Sequence, residues 1–202
     1  MNLLITKDEE DNKLGSFFNK CADYAVSLFN EESNIKVLTS QKLKNNIVFN
    51  MTISNSDFSP FNFFAFTHGE EDGLIVDAQH YVGCDTDDNC WKDANIVYNF
   101  SCLSACQFGK NICEHGAKCF VGHNKEIIIQ TLPKFQDYFY LPLEVFLSCL
   151  SGKKSVQDSL NLAKEKYTDE IDVLYNSDML HASLLLENRD SLVCYGDSSI
   201  LI

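Results

Sequence analysis

Two apolar runs, Phe61-Asn62-Phe63-Phe64-Ala65-Phe66 and Ala94-Asn95-Ile96-Val97-Tyr98-Asn99-Phe100, each stop abruptly at a small, polar turn, and this pair constrains the chain more than any other feature. Short apolar runs bounded in this way read as strands buried on both faces, the pattern of a parallel sheet covered by helices. The surrounding segments alternate to match. Met1 to Thr6 and Ile35 to Leu38 read as strands, and Lys13 to Phe29 as a helix with Phe17, Cys21, Tyr24, Ala25 and Leu28 at helical spacing. Thr39-x-x-Lys42 opens a helix to about Asn46, and Ile47-Val48-Phe49 either prolongs it or forms a short extended piece. Beyond the two long runs, Ala117 to Val121 and Glu126 to Gln130 read as strands around a Gly122 to Lys125 turn. Tyr138 to Leu150 reads as a helix closed by Ser151-Gly152, Ser155 starts another through about Tyr167, and Asp178 to Glu187 forms a third before a last strand. Strands alternating with helices in this order predict an α/β fold with a mostly parallel central sheet, helices on both faces and right-handed crossovers.

A chain of 202 residues, 45% of them hydrophobic, can build one core, and no Pro-, Gly- or Ser-rich stretch divides it, so residues 1–202 read as a single domain. Sixteen Lys and Arg against twenty-nine Asp and Glu leave a net charge of −13, which argues against a nucleic-acid partner because that binding rests on phosphate neutralisation. Of the acidic clusters, Asp8 to Asp11 reads as a solvated loop. No apolar run approaches the ~20 residues that cross a bilayer, and Met1 to Ile5 is too short for a signal peptide. A cytoplasmic protein with reduced thiols is therefore expected. The nine cysteines include no C-x-x-C pair, Cys84, Cys90 and His80 supply only three zinc ligands, and Asp85-x-Asp87-Asp88 lacks the glycine and glutamate of an EF-hand, so neither a metal nor another cofactor is expected.

Neighbouring parallel strands bring their C-terminal ends to one crevice, where open α/β sheets bind ligands. The first long run ends in Thr67-His68-Gly69 and the second leads into Phe100-Ser101-Cys102-Leu103-Ser104-Ala105-Cys106-Gln107-Phe108-Gly109, so an imidazole and a thiol can meet there. A free cysteine is usually a small buried hydrophobe, which is the reading for Cys21, Cys119, Cys149 and Cys194. Cys106 comes after the strand among small residues and is the preferred nucleophile; Cys102, still inside the apparent strand, is its competitor and reads as a core or supporting residue. Among the histidines, His80 can approach the cleft, His115 and His123 fall in loops, and His181 lies on an amphipathic helix. Only His68 ends a strongly apolar strand beside a glycine.

These residues resemble the caspase-like cysteine proteases, the group of caspases, metacaspases, gingipains, separases and CHAT domains. The resemblance rests on the His68-Gly69 turn and on Leu103-Ser104-Ala105-Cys106-Gln107-Phe108-Gly109, closest to the bacterial CHAT form. It extends to Gly116-Ala117-Lys118-Cys119-Phe120-Val121-Gly122 and to Asp190-Ser191-Leu192-Val193-Cys194-Tyr195-Gly196-Asp197, covering the chain from about residue 60 onward. It implies a three-layer α/β/α sandwich in which the His- and Cys-bearing strands are adjacent, with the first two strands flanking them. It also implies a cysteine endopeptidase that cleaves a specific protein partner through a thioacyl intermediate, controlled by a partner or by processing, with bacterial defence or cell death as an analogy at the level of the fold. His68 is then the general base, Cys106 the nucleophile, and the backbone N–H groups of Gly69 and Cys106 the oxyanion donors. The single arginine, Arg189, argues against aspartate specificity; Glu70, Asp72, Asp77 and Ser104 are the candidate substrate contacts, and the acidic ones suit a basic side chain if they are not simply solvated. The alternative from another class is a catalytically silent module that uses the acidic cleft to bind a protein.

Overall fold

The structure, a computed structural model, describes residues 1–30, 33–44 and 46–202, apart from the side chains of Asp88 and Pro133. A six-stranded sheet runs through the middle, built from β1 (Asn2–Lys7), β2 (Asn34–Leu38), β3 (Phe61–Phe66), β7 (Ala94–Asn99), β8 (Cys119–His123) and β9 (Leu192–Gly196) in the order β2-β1-β3-β7-β8-β9. Every pairing is parallel except β8 with β9. A second, antiparallel sheet joins β4 (His68–Glu70), β5 (Gly73–Val76) and β6 (Gln79–Gly83), so the arm expected at Gly73 is the middle strand of a three-stranded unit. Its β5–β6 hairpin turns on Asp77 and Ala78, both at positive φ, the backbone that a two-residue turn requires.

The helices are α1 (Gly15–Phe29), α2 (Ser40–Leu43), α3 (Asn46–Ile53), α4 (Phe108–Glu114), α5 (Pro133–Ser151), α6 (Val156–Tyr175) and α7 (Met179–Ser191). Side chains alternate across the central sheet and sort the core into two layers. Leu3, Ile5, Phe64, Phe66, Ile96, Tyr98 and Val121 face α1, α5, α6 and α7. Leu4, Phe63, Ala65, Val97 and Phe120 face α3, α4 and the small sheet, with Trp91 between them. All six residues of β3 are buried, as the apolar run predicted for a strand covered on both sides. The expected α/β/α sandwich with a mostly parallel sheet is the observed architecture.

The departures are local. Residues 47–49 are helical, within α3, and the helix expected from Thr39 to about Asn46 is divided into α2 and the start of α3, with Asn45 outside the described residues. α6 continues to Tyr175 because Glu170 and Leu174 keep the buried face going past Tyr167. His123 is the last residue of β8 and is almost wholly buried, where a loop was expected. Residues 126–130, expected as a strand, pair with neither sheet. Both edges of β8 are already taken, by β7 and β9, so this apolar segment has no strand edge to join there.

Candidate active site

The ends of β3 and β7 lie side by side, with Ala65 in register with Asn99, and the backbone N–H of Phe100 donates to the carbonyl of Ala65 at 2.9 Å. The chain then leaves the sheet at both points. His68 emerges as a half-buried side chain whose ring stands edge-on to Phe18, centroids 5.4 Å apart at 88°. Its Nε2 lies 3.2 Å from Oδ2 of Asp11. The other oxygen of Asp11 accepts the backbone N–H groups of Lys13 (2.8 Å) and Leu14 (2.6 Å) just before α1. Burial opposes ionisation of Asp11, but the Leu14 and Lys13 donors and the neighbouring His68 outweigh it and hold the carboxyl below its usual range. The 8–11 segment is thus folded against the site, contrary to the solvated loop expected of it. Asp8 is buried with its carboxylate accepting from Ser40 Oγ at 2.7 Å, and burial pushes its pKa up.

After β7 the chain makes a tight turn through Ser101 and Cys102 to Leu103, a non-glycine residue held at φ 55°, in the left-handed region. A β-carbon at Gly69 would lie 2.5 Å from the carbonyl oxygen of Cys102 and 2.9 Å from Cβ of Ser101. Glycine at 69 therefore lets the histidine turn pack directly on the Cys102 turn. His68 and Cys102 line one small pocket with Phe18, Phe100, Ile127 and Ile129. Cys106 is not among the lining residues. Its thiol donates to the carbonyl of Asn124 at 3.3 Å, and its charged neighbours are Glu71 and Lys110. Burial raises the pKa of both thiols, with Glu71 adding to the effect at Cys106.

The structure thus brings together His68, Gly69 and Cys102. The N–H of Cys106 is already committed to the carbonyl of Leu103 at 2.8 Å, which removes it as an oxyanion donor. Ser104 is fully buried with its hydroxyl 3.4 Å from the carbonyl of Ser101, so it supports the turn and does not face a substrate. Glu70 and Asp72, both exposed, flank the exposed His80 of the small sheet at 3.3 and 3.5 Å, and Asp77 pairs with Lys44 at 3.4 Å. Asp77 also borders a hollow of about 160 Å³ with Asp8, Glu10 and Asp11. Two groups of described residues place three potential ligand atoms within 4.8 Å of one another, Asp8-Asp11-His68 and Glu70-Asp72-His80; in each the imidazole Nε2 already faces a carboxylate oxygen at 3.2–3.5 Å. Asp11 was missed because its role depends on a partner 57 residues away. Its one local signal is an aspartate shortly before a helix start.

No family model matches the chain, and no curated protein matches it. Among solved structures it is similar to a secreted C11 cysteine protease from Bacteroides thetaiotaomicron, determined in complex with an irreversible peptide inhibitor. The identity is 9% and the TM-score 0.43, over 93% of this chain and 57% of that one. The chain therefore spans little more than half the length of that protein. The likeness at this level assigns no residue and no reaction, and nothing in it singles out the CHAT form. Among the described residues, no helix is long and apolar enough to cross a membrane.

Proposed function

We propose that the chain is a cysteine peptidase in which Cys102 is the nucleophile, His68 the general base and Asp11 the group that orients the imidazole. The observation that carries this reading is the shared pocket of His68 and Cys102 at the C-terminal ends of adjacent parallel strands. With Nε2 turned to Asp11, Nδ1 is the nitrogen left to take the thiol proton. The thiolate attacks the peptide carbonyl and a C–S bond forms; Gly69, the remaining expected donor, offers its N–H to the oxyanion. The C–N bond then breaks, the leaving amine takes the proton from the imidazolium, and water hydrolyses the thioester to restore the thiol. The substrate is a peptide or protein, and the nine free cysteines suit a reducing compartment.

A second reading is favoured by the burial that raises the Cys102 pKa: a silent module that binds a protein partner through the acidic hollow beside Asp11 and Asp77. One experiment separates them. The chain is incubated with a pool of proteome-derived peptides, and new termini are read by mass spectrometry for the wild type and for Cys102→Ala, Cys106→Ala and His68→Ala. Cleavage lost in Cys102→Ala and His68→Ala and kept in Cys106→Ala is the expected result. Cleavage that survives Cys102→Ala overturns the assignment of the nucleophile, and no new termini from any form of the chain overturns the peptidase.

A further inference from the structure

The pocket between His68 and Cys102 is nearly filled, at about 20 Å³, room for about a single water and for no substrate side chain. What fills it is the chain itself. Residues 125–130 run without helix or strand past the Cys102 turn, and Ile127 and Ile129 line the pocket and pack on the core layer that α1 and α5 share. The backbone of Ile127 meets the candidate nucleophile directly: its N–H points at Cys102 Sγ at 3.4 Å, and the thiol donates to its carbonyl at 3.6 Å. One residue on, Asn188 of α7 clamps the segment as a neighbouring strand would, its Oδ1 accepting from the Ile128 N–H at 3.1 Å and its Nδ2 donating to the Ile128 carbonyl at 2.8 Å. Asn188 is buried, and these two bonds place its amide. Upstream, the carbonyl of Lys125 accepts from the N–H of Leu103 at 3.0 Å.

Main-chain bonds along a segment, with alternate side chains in a pocket, are how a sheet-edge site holds a peptide, and here Lys125, Ile127 and Ile128 make such bonds while Ile127 and Ile129 enter the pocket. We propose that residues 125–130 occupy the peptide-binding groove of this site in cis, that Asn188 is the groove's backbone clamp, and that a substrate enters by displacing the segment and placing a branched apolar side chain where Ile127 now sits. The inference rests on the Cys102–His68 reading and deepens it. It also sets the specificity: the pocket wall is Leu14, Phe18 and Phe100, so the side chain beside the nucleophile is apolar, while the acidic residues lie to one side of it.

The test reads exposure of Cys102 independently of activity. Iodoacetamide labelling of the full chain is mapped at each cysteine for the wild type, Asn188→Ala and Ile128→Pro, with Cys106 as the internal reference and circular dichroism as the check on folding. Ile128 has an exposed side chain, so the proline removes a clamp donor without altering the core, and it decides the matter if Asn188→Ala does not fold. Labelling of Cys102 is expected to accelerate about tenfold or more, the scale set by losing one or two hydrogen bonds, with the Cys106 rate unchanged. An added peptide spanning Glu126 to Thr131 is expected to slow it again. A folded variant whose Cys102 labels at the wild-type rate overturns the proposal, as does a released Cys102 that the peptide fails to protect. Exposure and protection as expected, without cleavage of any peptide, leaves the occupied groove standing and removes the peptidase.

Discussion

Removing the Asp11 carboxylate tests the reading of the site and of the fold together. Asp11 makes two kinds of bond with two oxygens: one holds the Lys13 and Leu14 N–H groups where α1 begins, the other meets His68. Loss of the side-chain acceptor that fixes the turn before α1 costs about 1 kcal/mol, and loss of a hydrogen bond to a charged group about 1.5–3 kcal/mol when the partner is left desolvated. His68 is half exposed, so water replaces much of the second term, and Asp11→Ala is expected to cost about 1–2 kcal/mol in total. For a chain of this length that is a fall of roughly 2–8 °C in Tm. An Asn side-chain oxygen accepts the same two N–H groups, so Asp11→Asn keeps the first term and loses the charge, and its stability is expected within about 0.5 kcal/mol of the wild type. The folded-state pKa of Asp11 is depressed, so the carboxylate's contribution is present above the unfolded value and lost as pH falls through the folded one. Urea unfolding of both variants at pH 7 and pH 3 reads this out: a clear gap between wild type and Asp11→Ala at pH 7 that narrows at pH 3. In the peptide assay, Asp11→Asn is expected to lower kcat with little change in KM and to alter the pH profile of kcat. An Asp11→Ala chain as stable as the wild type at pH 7, or a gap that widens in acid, refutes the bonding scheme. An Asp11→Asn chain with unchanged kcat and pH profile refutes the orienting role.

Two further perturbations follow from the packing. Gly69→Ala places a methyl group 2.5 Å from the Cys102 carbonyl, a backbone atom that cannot yield, so it is expected to destabilise the chain by about 1–3 kcal/mol and to abolish peptide cleavage; thermal unfolding and the cleavage assay check both. His123 is buried with Nδ1 2.8 Å from Ser191 Oγ, and burial depresses its pKa to about 3. The unfolded chain then takes up a proton that the folded one refuses, so stability is full above about pH 6.5 and falls as pH drops from there toward 3. His123→Gln is expected to remove up to about 1.4 kcal/mol per pH unit from that slope in urea titrations between pH 4 and 7, and an unaltered slope counts against the buried neutral imidazole.

The groups that form strands and helices were legible because their signal is local. Five apolar residues among the six of Phe61–Phe66 suit a strand covered on both faces, and the helical spacing of Phe17, Cys21 and Ala25 fixes which side of α1 faces the core. His68 was legible for the same reason, since it stands where the first run stops. The sequence by itself therefore determined the layers, the parallel sheet and one half of the candidate pair.

The other half was decided in three dimensions. Cys102 and Cys106 are four residues apart in one turn, and no periodicity distinguishes them; the left-handed turn at Leu103 and the close approach of Gly69 put the first beside His68 and leave the second bonded to Asn124. Asp11 looked like one of several solvated acids until α1 packed on the sheet and brought it to the imidazole. Residues 126–130 have the composition of a strand, but whether a strand forms depends on a free edge, and β9 had already closed the edge of β8. Which side chains meet across dozens of residues is set by sheet order and edge occupancy, and those are properties of the assembled fold that no single segment carries.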